Sequence, residues 1–295
     1  MRHGTYSITA RDPETGALGV AIHSHWFSVG PLCAWARPGA GAIATQSVAE
    51  PAYGARGLDA MASGEPAPDA LERLLAADES ARVRQVAMVD GTGRVAAHTG
   101  ADCIQAAGHV TGDGFSCQAN MMLRETVPAA MAAAFAAADG ELPERLLAAL
   151  EGAEAEGGDI RGRQSAAMLV VPAAGEAWES LVDLRVDDHT QPLDELRRLM
   201  GLDRAYTLAL AADELLGAGD FAAAVPLYER ASALAPESDE LVFWAGIGLA
   251  SSDLEAGVAK VRQAAEVNPN WLLLLDRLSP DFAPAGAELR RALGR

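Results

Sequence analysis

The stretch that most restricts this chain is residues 5–24. Tyr6, Ile8 and Ala10 alternate with Thr5, Ser7 and Thr9, and further on Leu18, Val20 and Ile22 alternate with Gly19, Ala21 and His23. A period of two is the pattern of a strand with unlike faces. Between the runs, Asp12-Pro13-Glu14-Thr15-Gly16 offers the fixed φ of proline and the permissive φ of glycine that a turn needs. The segment therefore predicts two antiparallel strands, 5–10 and 18–24. Matching apolar face to apolar face puts Thr5 beside His23 and His25, whereas a slip of one residue puts Ser24 there instead.

The rest of the first two thirds extends this pattern. Residues 42–47 read as a small-residue strand, and 53–62 and 67–77 as helices. Residues 84–90 and 94–98 form a hairpin around Gly91-Thr92-Gly93. Residues 112–117 fit a strand or a loop. Two Ala- and Leu-rich helices follow at 126–138 and 142–154, then a hairpin of 165–171 and 178–186. Helices alternating with hairpins in this order predict an α+β fold, an αββα sandwich, over residues 1–195.

Residues 196–295 change character and read as helix throughout. Gly219-Asp220-Phe221, Ala224, Tyr228, Ala231 and Pro236 stand at tetratricopeptide spacings, and Ala264 and Pro269 repeat the last two positions 33 residues later. In the second copy Gly257 and Val261 replace Ala and Tyr. Two such repeats do not bury a core alone. They are expected to pack on neighbouring helices, on the first domain or on another subunit, so a homo-oligomer and a protein partner held by the repeats are both expectations.

Composition narrows the function classes. The net charge of −18 repels phosphate backbones and argues against nucleic-acid binding. Cys33, Cys103 and Cys117 are odd in number and lack metal-ligand spacing, which fits free thiols in a reducing, cytoplasmic setting. Arg2 and His3 are followed by no apolar run, so neither a signal peptide nor a membrane association is expected.

Thr5 is the candidate nucleophile. A threonine hydroxyl needs a base to attack a carbonyl. A free α-amino group, with a pKa of about 7.7–8, is suited to that role, and an internal amide nitrogen is not. The chemistry therefore requires cleavage between Gly4 and Thr5. Removal of Met1 alone does not achieve it, because Arg2, His3 and Gly4 intervene. Without cleavage, Thr5 is the first residue of an edge strand. His23 and Ser24 are candidates for lining a substrate pocket, and no third ligand accompanies His23 and His25 to make a metal site. Gln46 and Asn120 are candidate donors to an oxyanion. Asp159 is placed to orient an N-terminal amine, Arg161 to hold a substrate carboxylate, and Ser165 lies in the same polar run. Ser7 is a further hydroxyl with no evident base.

Six runs of the sequence carry a resemblance. They are TYSITARDPETGALGVAI, IATQS with Tyr53-Gly54 and Gly57-Leu58, VDGTGRVAAHTG, GFSCQANMM, GGDIRGRQSAA and DLRVDDH, in this order. Over residues 4–200 the chain resembles the domain of unknown function 1028 family, and through it the N-terminal-nucleophile (Ntn) hydrolases. The resemblance implies an αββα fold, with Thr5, the neighbourhood of Gln118 and Asn120, and Asp159 with Ser165 around one site. It names no substrate. The basic residue that proteasome-like relatives place beside the nucleophile has no lysine here, and Arg37 is the nearest candidate.

The expectation is thus an amidohydrolase that cleaves the C–N bond of a small-molecule amide or acylated amine, with Thr5 and Asp159 catalytic and no cofactor or metal. The competing expectation is a catalytically silent scaffold or ligand binder whose helical repeats hold a partner.

Overall fold

A computed structural model describes residues 4–295, the Phe221 side chain excepted. Arg2 and His3, read above for a leader, and the aromatic side chain of the repeat motif lie outside the described residues. The chain forms two compact units, Met1–Arg197 and Arg198–Arg295.

The first unit is mixed α and β with antiparallel sheets. Its strands are β1 (Thr5–Arg11), β2 (Leu18–Ser24), β3 (Ala34–Arg37), β4 (Gly41–Ser47), β5 (Arg84–Asp90), β6 (Val95–Thr99), β7 (Gly108–Gly112), β8 (Phe115–Asn120), β9 (Ser165–Val171) and β10 (Val182–Val186). Its helices are α1 (Gly30–Cys33), α2 (Ala52–Ala62), α3 (Ala67–Ala76), α4 (Val127–Ala137) and α5 (Leu142–Ala155), before α6 (Pro192–Gly217) leads the chain onward. Six strands run in the order β10-β9-β2-β1-β8-β7, and four in the order β3-β4-β5-β6. β1 lies between β2 and β8, so Thr5 heads an interior strand and not an edge.

Each sheet has two apolar faces to cover. Leu18 and Val20 of β2 pack against Ala42 and Ala44 of β4 and Val89 of β5, joining the sheets face to face. Alanines on β4 keep that seam thin. On the far side of the smaller sheet, Ile43 and Met88 pack with Tyr53, Leu58 and Met61 of α2 and Leu71 and Leu74 of α3. On the far side of the larger sheet, α5 comes so close to β2 that a Cβ on Gly19 would fall 2.6 Å from Leu146. α4 contributes Phe135, its ring tilted at 47° against Phe115 of β8 with centroids 4.9 Å apart.

Three elements depart from the sequence reading. β3 is four half-buried residues with no room for a pattern. β7 is Gly-His-Val-Thr-Gly, and it forms a hairpin with β8 around Asp113-Gly114, with Gly114 at φ 72°. Residues 112–117 therefore hold the turn at Asp113-Gly114 and the first three residues of β8. Trp178 lies outside β10 and is 79% exposed. Pairing there begins with Leu181 N–H donating to the Val170 carbonyl.

The second unit continues as helix: α7 (Phe221–Leu234), α8 (Asp239–Leu249), α9 (Leu254–Val267), α10 (Asn270–Arg277) and α11 (Gly286–Ala292). Asp220, Ser238 and Asp253 cap α7, α8 and α9 by accepting backbone N–H bonds. Tyr228 is buried among Ala212, Ala224 and Ala245. Gly257 stands where α9 crosses α8, and a Cβ there would lie 2.8 Å from the Gly246 carbonyl. Gly257 and Val261 thus stand at a close crossing of α8 and α9.

No helix among the described residues is long and apolar enough to cross a membrane.

Candidate active site

Four strands each contribute one side chain to a single row. Ser165 opposes Ser24, Ser24 opposes Thr5, and Thr5 opposes Asn120. Directly opposed residues share a face, and all four are buried. Ser7 belongs to the same face of β1, which meets β4 and β5. His23 opposes Tyr6 on the other face, toward α5. The register is therefore the one that pairs Thr5 with Ser24, and pairing by apolar faces fails. β2 is buried on both sides, so it gains nothing by matching its apolar face to that of β1. Within the row, this register lets the Thr5 and Ser24 hydroxyls hydrogen-bond.

The peptide bond before Thr5 is the centre of the site. The Thr5 hydroxyl donates to Ser24 Oγ at 3.1 Å, and Ser24 Oγ–H donates to the Gly4 carbonyl at 2.5 Å. Arg161 Nη2 donates to the same carbonyl at 2.8 Å. Asp159 holds this guanidinium in a fork, accepting from Nε at 3.1 Å and from Nη2 at 2.8 Å, and also takes the backbone N–H of Arg161 and of His25. The Asp159 side chain is fully buried, with its charge matched by Arg161. A Cβ on Gly4 would fall 2.8 Å from Asp159 Oδ2 and 2.9 Å from Arg161 Nη2, so a side chain there requires the Asp159–Arg161 pair to shift. The loop that delivers both residues turns at Gly157 (φ 114°) and Gly162 (φ 104°).

Below this lies a buried amide network. Gln46 Nε2 donates to the Thr5 carbonyl at 3.2 Å and to Gln85 Oε1 at 2.8 Å, and Asn120 Nδ2 donates to the same two acceptors at 3.4 and 2.9 Å. Gln46 and Asn120 thus stand beside Thr5, but their N–H groups serve its own carbonyl and not the carbonyl that precedes it. The donors at the preceding carbonyl are Ser24 and Arg161. Asn120 Oδ1 is buried without a partner. Ser7 donates to Gln46 Oε1 and accepts from Gln118 Nε2, each at 2.6 Å, so its hydroxyl is a pin between sheets with no base attached. Ser165 donates to the Trp26 carbonyl at 2.5 Å and accepts from Val29 N–H, which anchors the loop after β2. Arg37 pairs with Asp59 at 2.9 Å at the end of β4 remote from Gln46.

Sequence reasoning missed Gln85 and placed the neighbourhood of Gln118 at the site only through the resemblance. Gln118 alternates with apolar partners in Ser116-Cys117-Gln118-Ala119-Asn120, a readable polar face. Gln85 is a lone amide in an apolar strand, opposed by Gln46, and only the pairing of β4 with β5 reveals it.

On the other face, His23 stacks on Tyr6 with ring centroids 4.6 Å apart, and both its ring nitrogens lack partners. Burial pushes its pKa down to about 4. The Tyr6 hydroxyl donates to Glu154 at 2.5 Å. Burial first, and Glu154 second, raise its pKa well above the usual phenol value. Glu154, Asp159, Arg163 and Thr190 line a polar cavity of about 460 Å³, so Asp159 borders both the cavity and Gly4. Among the described residues, no group of three or more His, Cys, Asp or Glu is placed to hold a metal ion.

In this first unit, paired antiparallel sheets bring a serine hydroxyl and a forked guanidinium onto one peptide carbonyl, with the Thr5 hydroxyl bonded to that serine. The family of unknown function DUF1028 matches residues 5–196, and the chain belongs to that family. The crystal structure of protein SPO2555 from Silicibacter pomeroyi, of the same family, is similar at 34% identity with a TM-score of 0.61, covering 67% of this chain and 88% of that one. No curated protein matches the chain.

Proposed function

We propose that the first unit is an Ntn-type αββα sandwich, an amidohydrolase for a small amide or acylated amine, with Thr5 as nucleophile after the Gly4–Thr5 bond is cleaved. The observation that carries this is the chain from Thr5 Oγ1 through Ser24 Oγ to the Gly4 carbonyl, with Arg161 on the same oxygen. Attack by Thr5 Oγ on the Gly4 carbon forms a C–O bond while the hydroxyl proton passes to Ser24, whose own proton moves to the carbonyl oxygen. Collapse breaks the C–N bond, the Thr5 nitrogen takes the proton, and an ester remains. Water then hydrolyses that ester and frees a Gly4 carboxylate. The new amine serves as the base for later turnovers, with the buried Asp159 carboxylate orienting it, and the chemistry calls for no cofactor. In the second unit, the burial of Tyr228 among alanines and the close crossing of α8 and α9 support a tetratricopeptide-like arrangement, which we propose docks a partner protein.

Intact mass tests the reading. Wild-type protein is expected to lose residues 1–4, and Thr5→Ala to keep them. Ser24→Ala is expected to slow the loss by on the order of a hundredfold, the cost of removing one positioned donor. A full-length mass in folded wild-type protein overturns the nucleophile and leaves a scaffold or ligand-binding role.

A further inference from the structure

We infer that the place occupied by Gly4 is the acyl site of the enzyme and that it selects glycyl amides, substrates whose carbonyl is attached to an α-carbon bearing no L side chain. This rests on Thr5 acting as proposed. A carbonyl attacked by Thr5 Oγ must bring its carbon within about 3–3.5 Å of that oxygen. Its own oxygen must then meet donors. Those at hand are Ser24 Oγ–H and Arg161 Nη2–H, because the side-chain N–H groups of Gln46 and Asn120 are spent on the Thr5 carbonyl and on Gln85, and that of Gln118 on Ser7. Loss of residues 1–4 takes the Gly4 carbonyl from both donors; Arg161 Nη2 keeps Asp159, but the buried Ser24 hydroxyl loses its acceptor, which is costly. An incoming carbonyl restores what was lost.

Once that carbonyl is seated, its α-carbon falls on the Gly4 Cα position. The L direction there is closed by Asp159 Oδ2, Arg161 Nη2 and Asp159 Oδ1, at 2.8, 2.9 and 3.0 Å from an added Cβ. These atoms do not yield easily. They belong to an ion pair fixed by N–H bonds from Arg161 Nε, Nη2 and backbone and from the His25 backbone. The wall is also charged, so a methyl group gains nothing by pressing on it. The same clamp suits the product. The glycyl carboxylate set free after hydrolysis faces a guanidinium and a hydroxyl, and is retained.

The test uses processed wild-type protein with N-acetylglycine p-nitroanilide and N-acetyl-L-alanine p-nitroanilide. In each turnover Thr5 Oγ bonds to the acyl carbon, the C–N bond breaks, and the Thr5 hydroxyl proton reaches the anilide nitrogen through the Thr5 amine. Water then hydrolyses the ester. The glycyl anilide is expected to exceed the alanyl one in kcat/KM by on the order of 10–100-fold, the range for forcing one methyl group into a filled site. N-acetylglycine is expected to inhibit competitively and N-acetyl-L-alanine not to. Equal kcat/KM values overturn the inference. So does a processed protein that p-nitrophenyl acetate acylates at Thr5 while both anilides stay intact, and in that case Thr5 remains a nucleophile. Failure of Thr5 to be acylated at all removes the nucleophile and the glycyl site together.

Discussion

His23 is a titratable group that burial holds neutral. It has no hydrogen-bond partner on either nitrogen, and its pKa lies near 4 against an ordinary 6.5. The unfolded chain therefore binds a proton between those values that the folded chain refuses. Stability from this group is complete above pH 6.5 and is lost as pH falls through 4, to the extent of on the order of 3 kcal/mol. Denaturant midpoints of wild type and His23→Phe at pH 7 and pH 4.5 check this. The wild type is expected to lose more on acidification, and parallel losses would mean that His23 is not the group responsible. Thr5, Ser24, Asp159 and Arg161 were all legible in the sequence as chemically apt residues. Their grouping around one carbonyl was not, because Gly4 connects them and a glycine advertises no chemistry.

At the scale of elements, close approach governs. Gly19 lets α5 rest on β2, with Leu146 and Leu142 in the space a side chain would need. Gly19→Val is expected to cost about 1–3 kcal/mol through overpacking, read as a lower urea midpoint with an unchanged slope. Gly64→Ala makes a useful contrast, since nothing lies within 4 Å of its Cβ position. Its φ of 94° leaves only backbone strain as a cost. The hairpin of β1 and β2 was visible because alternation and a Pro/Gly turn coincide there. The register was not, since a strand buried on both faces has no dry side to announce. β3 and β7 were invisible for a different reason: short, glycine-bounded segments acquire their strand character from the neighbours they pair with.

At the scale of the whole molecule, two compact units carry separate cores. Phe243, Ile247 and Val261 fill one core of the second unit, and Tyr228 a smaller cluster beside them. Tyr228→Ala is expected to cost about 3–5 kcal/mol. Hydrogen exchange should quicken in α7 and α8 while the strands of the first unit keep their protection, and release of residues 1–4 should continue at the wild-type rate. Uniform acceleration across the chain would show instead that the units unfold as one. The interior position of β1 has one more effect. The cleavage proposed before Thr5 would create a chain terminus, and termini ordinarily fray. This one is born with a neighbouring strand on each side and with its carbonyl already tied to Gln46 and Asn120. An amine exposed there by the proposed cleavage would have little slack to lose, so much of the entropy of placing it would be settled before any substrate arrived.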